Sequence, residues 1–198
     1  MHLPDTLYSS LIFRTKTLAL VISILAVSGT VTELLGGIWD ASSHAMREPE
    51  QFWTIQHVVI YTGVSMIAAS AILGLVLLIT INKNKMVLKG IKIVILGSVL
   101  QLTAGYADSV SHEIYGVDGL VTPSHLILET GLLLSALGGF IILCYIDRGK
   151  TRKMMMPLAI MTVILSATWI GFNLFLLFGA IVLCVPVYEM FSSGCAVL

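Results

Sequence analysis

The stretch GGIWDASSHAMREPEQFWTIQHVVIYTG at residues 36–63 decides the fold of this chain, because a related stretch, GYADSVSHEIYGVDGLVTPSHLILETG, follows at residues 105–131. Both contain the pattern D-x3-H-x12-H, and the two copies lie 68 positions apart. Aligning residues 34–63 on residues 102–131 without a gap gives nine identities in 30 positions. A repeat of this size indicates a duplicated supersecondary unit.

The sequence around the repeat is strongly apolar. The 198 residues are 57% hydrophobic and 11% charged, with a mean hydropathy of +0.98. This composition excludes an ordinary soluble domain and a disordered chain. Long unbroken apolar runs favour spanning helices over a barrel. We therefore predict an all-α, polytopic membrane helical bundle in contact with lipid. The formal net charge of zero gives no reason to expect nucleic acid as a partner.

The apolar runs predict about six transmembrane helices in a single membrane domain covering residues 1–198. Four spans are expected at about 17–40, 56–81, 88–109 and 124–146. The remaining run, 154–191, is long enough for two short spans with a tight turn near residues 171–173, and one long kinked helix is the alternative. The chain then divides into repeat unit 1 (17–84), repeat unit 2 (85–152) and a C-terminal helical hairpin (153–198).

The distribution of basic residues predicts the orientation. Ten of the 11 Lys and Arg residues lie before span 1, around the connection of spans 2 and 3, or after span 4, and Arg47 lies on the other side. The positive-inside rule then places the N-terminus in the cytoplasm of a multi-pass cell-membrane protein, with both motifs facing outward. Spans 1 and 3 run in the same direction, so the repeat of helical hairpins is parallel.

The residues of the motif suit a metal ion. Ionisable side chains are expensive at membrane depth and mark functional sites there. Asp40 and His44 are four residues apart at a helix end, so their Cβ atoms are about 5–6 Å apart. His57 begins the returning helix. We call Asp40, His44 and His57 the first site, and Asp108, His112 and His125 the second site. A carboxylate with two imidazoles fits copper, zinc or iron.

Further polar residues extend the same helix faces inward. Glu33 and Gln101 hold matching places before the two aspartates, and Tyr61 and Glu129 hold matching places one turn after His57 and His125. We predict that they orient ligands or relay protons. Gly37 and Gly105 are expected to let neighbouring helices approach closely. No catalytic residue is assigned. Separate sites, one joint site and metal-free hydrogen-bond networks all remain open.

The motif resembles that of the C subunit of copper membrane monooxygenases, which oxidise methane, ammonia or short hydrocarbons. The resemblance covers roughly residues 17–146, and the length is similar to that of the shorter, archaeal-type C subunits. It implies copper at Asp40, His44 and His57. It also implies a second site at His112 and His125, where Asp108 stands in place of the family's Asn.

The resemblance implies an oxidoreductase complex, in which this chain is a subunit, or a relative of one, with duplicated copper sites. Other membrane subunits or further copies of the chain are then expected as partners, and a small apolar or gaseous molecule as substrate. The alternative function is non-catalytic capture, delivery or sensing of copper or zinc.

Overall fold

The described part of the chain is a bundle of long helices. The computed structural model describes residues 5–46, 53–80, 84–115, 122–146 and 149–182, and these ranges contain no strand. The helices are α1 (Asp5–Ala45), α2 (Ile55–Thr80), α3 (Lys85–Tyr115), α4 (Pro123–Tyr145) and α5 (Lys150–Val182). All five are long and apolar enough to cross a membrane. The predicted all-helical class is confirmed, and the five helices fit a multi-pass membrane protein.

The C-terminal run differs from its prediction. The turn expected near residues 171–173 is wrong, because α5 continues through these positions. Gly171 and Asn173 are weak helix formers, but propensity yields to tertiary contacts. Asn173 is fully buried and donates a hydrogen bond to Glu129 on α4, which holds it within the helix. Residues 183–198 lie outside the described part of the structure. The six-span count is therefore not confirmed, since the described ranges contain five candidate spans.

The first four helices form a closed ring. The most extensive contacts join α1 to α2, the first helix pair, and α3 to α4, the second helix pair. Contacts of α2 with α3 and of α1 with α4 close the ring, and α5 packs mainly on α4. At the end opposite the two motifs, an apolar cluster draws residues from all four ring helices: Ala19, Ile22, Ala26, Leu77, Ile91, Val94 and Ile142.

Glycines set the spacing within each helix pair. A Cβ atom added to Gly63 on α2 would lie 2.6 Å from the carbonyl oxygen of Gly29 on α1. The same contact recurs in the second helix pair, where a Cβ atom on Gly131 would lie 2.6 Å from the carbonyl oxygen of Gly97. Both partners of the second contact are 68 positions after those of the first. Small residues permit such close approach between membrane helices.

The expectation for Gly37 and Gly105 is wrong. A Cβ atom added at either position would have nothing within 4 Å. Gly37 lies on a face of α1 that is turned away from α2, because its neighbour Gly36 does face α2: a Cβ atom added there would lie 2.8 Å from the backbone nitrogen of Ile60. Of the glycines in the close contacts, Gly29 and Gly97 lie just before the stretch in which the repeat is evident from sequence, whereas Gly63 and Gly131 are its last aligned positions.

Outward-facing apolar side chains are common on α2 and α5. Ile72, Leu75 and Ile79 on α2 are more than half exposed, as are Ile164 and Phe175 on α5. A face of this kind is typical of contact with membrane lipid, because lipid chains are as apolar as the side chains themselves.

Candidate metal centre

An aspartate and a histidine meet within each helix pair. In the first pair, Asp40 near the end of α1 and His57 in the first turn of α2 bring Oδ1 and Nε2 to 3.2 Å. In the second pair, Asp108 of α3 and His125 of α4 have the same two atoms at 3.2 Å. Each of the four side chains is about one-fifth to one-quarter exposed, at 19% to 24%. The structure thus brings together the residues that the sequence predicted as partners.

The separation of 3.2 Å suits two ligands of one ion. Two atoms bonded to one metal at about 2.0–2.1 Å, with an angle between 90° and 109°, are about 2.9–3.4 Å apart. The same separation also fits a direct hydrogen bond between imidazole and carboxylate. The separation is therefore compatible with an ion held by nitrogen and oxygen from facing helices, and equally with a metal-free pair of side chains.

His44 and His112 complete the two sites in the prediction. Both lie within helices, four residues after Asp40 and Asp108, but their side chains are outside the described part of the structure. Among the side chains that are described, no group of three His, Cys, Asp or Glu residues could hold a metal ion. Each site is therefore described through two of its three predicted ligands.

Local hydrogen bonds place His125. Thr122 is the N-cap of α4, and its hydroxyl accepts a hydrogen bond from the backbone amide of His125 at 3.2 Å. Pro123 follows in the first turn, where its fixed φ favours helix initiation and its missing amide proton costs nothing. The hydroxyl of Ser124 donates to Oδ1 of Asp108 at 2.8 Å. The start of α4 thereby orients both the imidazole and the carboxylate of the second site.

The first site has different supporting contacts. The side-chain amide of Gln56 donates to the hydroxyl of Ser43 at 2.7 Å, which joins the end of α1 to the start of α2. Tyr61 stacks on His57 with ring centroids 6.0 Å apart, and Trp53 meets the Tyr61 ring edge-on at 6.2 Å.

Two buried polar side chains lie further inward. Glu33 is 3% exposed and Gln101 is 1% exposed, and neither side chain has a hydrogen-bond partner within the described residues. Glu33 faces the close contact at Gly63, and Gln101 faces the equivalent contact at Gly131. Glu33 lies seven residues before Asp40, which is about 10 Å along a helix axis. The predicted roles of these residues in ligand orientation or proton relay stay predictions.

Glu129 lies one turn after His125 on α4 and is bound to α5. It is buried, and Oε1 accepts a short hydrogen bond from the side-chain amide of Asn173. The other oxygen, Oε2, is buried with no hydrogen-bond partner among the described residues. The sequence did not predict Asn173 as a partner of Glu129. Asn173 is the only asparagine in the run 154–191, and its isolation was the available signal.

The comparisons with known proteins supply no relative. No family model, curated protein or solved structure matches this chain. The function therefore has to be argued from the geometry of the two sites.

Proposed function

We propose that this chain is a copper-binding integral membrane protein in which each helix pair holds one metal ion. Asp40, His44 and His57 would hold the first ion, and Asp108, His112 and His125 the second. The observation that carries the proposal is the recurrence of one geometry: Nε2 and Oδ1 are 3.2 Å apart in both helix pairs. A duplicated structural hydrogen bond would also repeat this spacing, so the proposal depends on the ligand chemistry of the two motifs and is decided by metal content.

The two helix pairs represent a parallel duplication in this proposal. The matched glycine contacts, Gly29 with Gly63 and Gly97 with Gly131, support it because they preserve helix spacing as well as ligand positions. The excess of Lys and Arg in the predicted inner loops supports a cytoplasmic N-terminus. Both sites would then face the extracytoplasmic side of the cell membrane.

The most specific form of the proposal is a subunit of a copper-dependent membrane monooxygenase, or a relative of one. Copper, when bound, supplies the redox chemistry by which such a complex uses O2. The residues of this chain would hold the ion at the membrane surface and leave a position open for a small apolar or gaseous molecule. The other parts of the complex would come from partner membrane subunits or from further copies of this chain.

A second candidate function is capture or delivery of copper or zinc without catalysis. It is favoured by Asp108, which makes the ligand set of the second site the same as that of the first. Two sites of equal composition suit the binding of two like ions, whereas a division of labour between a catalytic and an accessory site favours different ligand sets. Zinc also accepts imidazole and carboxylate ligands, although Cu(II) binds such a set more tightly.

Elemental analysis of the full-length protein tests the shared part of both candidates. We expect two metal equivalents per chain, with one lost in His57→Ala and one lost in His125→Ala. His2→Ala is the matched control, because His2 is the only histidine outside the two motifs, and it should retain both equivalents. A joint site would lose both ions in either variant. Wild-type protein that takes up no copper or zinc would contradict metal binding altogether.

Partner subunits and oxygen consumption separate the two candidates. A monooxygenase subunit should copurify from its native membrane with other membrane proteins, in a complex whose oxygen consumption depends on copper. A delivery protein should bind metal stoichiometrically as a single kind of chain and release it to an added acceptor, with no oxygen consumption. If the chain is a monooxygenase subunit, the His57→Ala and His125→Ala variants should lose copper-dependent oxygen consumption. If it is a delivery protein, they should lose metal binding and release.

A further inference from the structure

Three lysines lie on the outer face of α3, at the end of the ring opposite the two motifs. Lys85, Lys89 and Lys92 are spaced by four and three residues, so they share one face of the helix. All three are exposed. The same face continues into Leu96 and Val99, each of which is 51% exposed. Along one stripe of α3, positive charge is therefore followed directly by apolar surface.

The neighbouring helices leave this stripe uncovered. α2 packs on Ile91, since a Cβ atom added to Gly74 would lie 2.8 Å from Cγ2 of Ile91. α4 packs on the other side, since a Cβ atom added to Gly90 would lie 2.9 Å from the carbonyl oxygen of Gly138. Residues 90 and 91 thus point at neighbouring helices, and the lysines on either side of them in sequence point outward.

The start of α3 favours an anion. Oδ1 of Asn84 accepts hydrogen bonds from the backbone amides of Met86 and Val87 at 3.1 and 3.3 Å, so the helix is capped before its first turn. That turn contains no acidic residue and begins with Lys85, whose charge adds to the positive end of the helix dipole. No Asp or Glu occurs between residues 85 and 107 to offset this charge. A bound anion would offset it.

The depth of the lysines favours an anion that belongs to a lipid. The candidate span of α3 begins at Lys85, and Lys92 lies seven residues, about 10 Å, further along the helix. A lysine at this depth extends its side chain towards the membrane surface. The three ammonium groups then converge at the level of the lipid phosphates, with Leu96 and Val99 beneath them at the level of the acyl chains.

The stripe is specific to the second helix pair. In the register of the repeat, the positions of α1 that match the three lysines hold Thr17, Val21 and Ile24. The duplicated unit therefore does not require basic residues at these positions, and α3 differs from α1 by three charges on one outward face.

We propose that the outer face of α3 is a binding site for an anionic phospholipid, whose phosphate contacts Lys85, Lys89 and Lys92 and whose acyl chain lies along Leu96 and Val99. Charge complementarity carries the choice of an anionic headgroup, and the adjoining apolar stripe carries the choice of a lipid. A lysine near anionic lipid contributes about fivefold in affinity. The inference does not depend on metal binding at either motif.

Native mass spectrometry of the full-length protein in detergent tests the proposal. Dioleoylphosphatidylglycerol and dioleoylphosphatidylcholine, which share their acyl chains, are titrated separately. We expect the anionic lipid to bind at least tenfold more tightly. The double variant Lys89→Gln, Lys92→Gln should lose about fivefold in affinity for phosphatidylglycerol per lysine replaced and should bind phosphatidylcholine as before. Each single variant provides the same measurement with half of the charge change.

Two further double variants are the controls. Lys150→Gln with Lys153→Gln removes the same charge from exposed positions of α5 at the same end of the bundle, and should leave the preference for phosphatidylglycerol intact. Lys89→Arg with Lys92→Arg keeps the charge and should also retain it. Soluble glycerol 3-phosphate, at constant ionic strength, should not displace the lipid, because it has no acyl chain to pack on α3.

Three results would overturn the inference. Equal affinities for the two lipids in the wild type would show that no anionic headgroup is selected. Equal losses in the α3 and α5 glutamine variants would show a general effect of surface charge rather than a site on α3. Displacement by glycerol 3-phosphate would show a site for a soluble anion.

Discussion

The two helix pairs are alike in their backbone contacts and in the Asp–His geometry, and they differ in the side chains around both. The close glycine contact recurs at positions 68 apart, and so does the 3.2 Å separation of Nε2 and Oδ1. The residues next to these features differ: Glu33 is matched by Gln101, Tyr61 by Glu129 and Gln56 by Ser124. The shared features are those that bring two helices, and the aspartate and histidine they carry, together. The differing ones can adjust each site separately.

The largest expected effect comes from the glycine contacts that both pairs share. An added Cβ atom at Gly63 or Gly131 would meet a backbone carbonyl at 2.6 Å, so the helices would have to separate. We expect Gly63→Ala and Gly131→Ala each to lower the free energy of unfolding by about 3 kcal/mol, the upper part of the usual range for overpacking. Unfolding in mixed detergent micelles provides the measurement.

Gly37→Ala and Gly105→Ala are the matched substitutions, because nothing lies within 4 Å of an added Cβ atom at either position. Each should change stability by less than about 1 kcal/mol, in the direction of greater stability, since alanine is the better helix former. A large loss of stability in Gly63→Ala with no loss in Gly131→Ala would show that the two helix pairs do not share the close glycine contact.

A smaller effect is expected where the pairs differ in the membrane interior. A buried polar group without a hydrogen bond costs about 1–3 kcal/mol, so Glu33→Leu should raise the free energy of unfolding by that amount. Glu33→Gln copies the residue of the second pair and should have less effect. If Glu33→Leu destabilised the protein, the Glu33 carboxyl would have a bound partner that the described residues do not include.

The sequence predicted the pairing of Asp40 with His57 and of Asp108 with His125 because the two ends of each motif lie at the facing ends of consecutive helices. Helix class and the first four spans followed from the apolar runs, which the lipid environment constrains strongly. The apolar runs did not predict which glycines would face a neighbouring helix. Gly36 and Gly37 are adjacent in sequence, and only the packing of α1 on α2 shows that Gly36 faces backbone while Gly37 does not.

The contribution of α5 was missed for a related reason. Gly171 and Asn173 resemble a turn when local propensity alone is considered, and Asn173 has its hydrogen-bond partner 44 residues away on α4. A contact over that distance requires knowledge of which helix packs on which. The contact between α5 and Glu129 is therefore a tertiary feature: the single asparagine in the run 154–191 marks Asn173 as unusual but does not identify its partner.

The smallest expected effect concerns the serines beside the sites. Ser124 donates to the Asp108 carboxylate, and a hydrogen bond to a charged group contributes about 1.5 kcal/mol or more. Ser43 accepts a hydrogen bond from the neutral side-chain amide of Gln56, and loss of this hydrogen bond should lower the free energy of unfolding by about 1 kcal/mol. Ser124→Ala should also weaken metal binding at the second site alone, which a titration in the His57→Ala background would measure. Weakening of the first site by Ser124→Ala would contradict independent support of the two sites.

X-ray absorption of the full-length protein loaded with copper tests the central claim most directly. The account predicts an inner shell of nitrogen and oxygen at about 2.0–2.1 Å, with the outer-shell scattering of imidazole rings. His57→Ala and His125→Ala should each remove about half of the bound copper, and His2→Ala should remove none. Copper that shows no imidazole scattering, or whose amount is unchanged in both motif variants, would contradict the claim that the two helix pairs are metal sites.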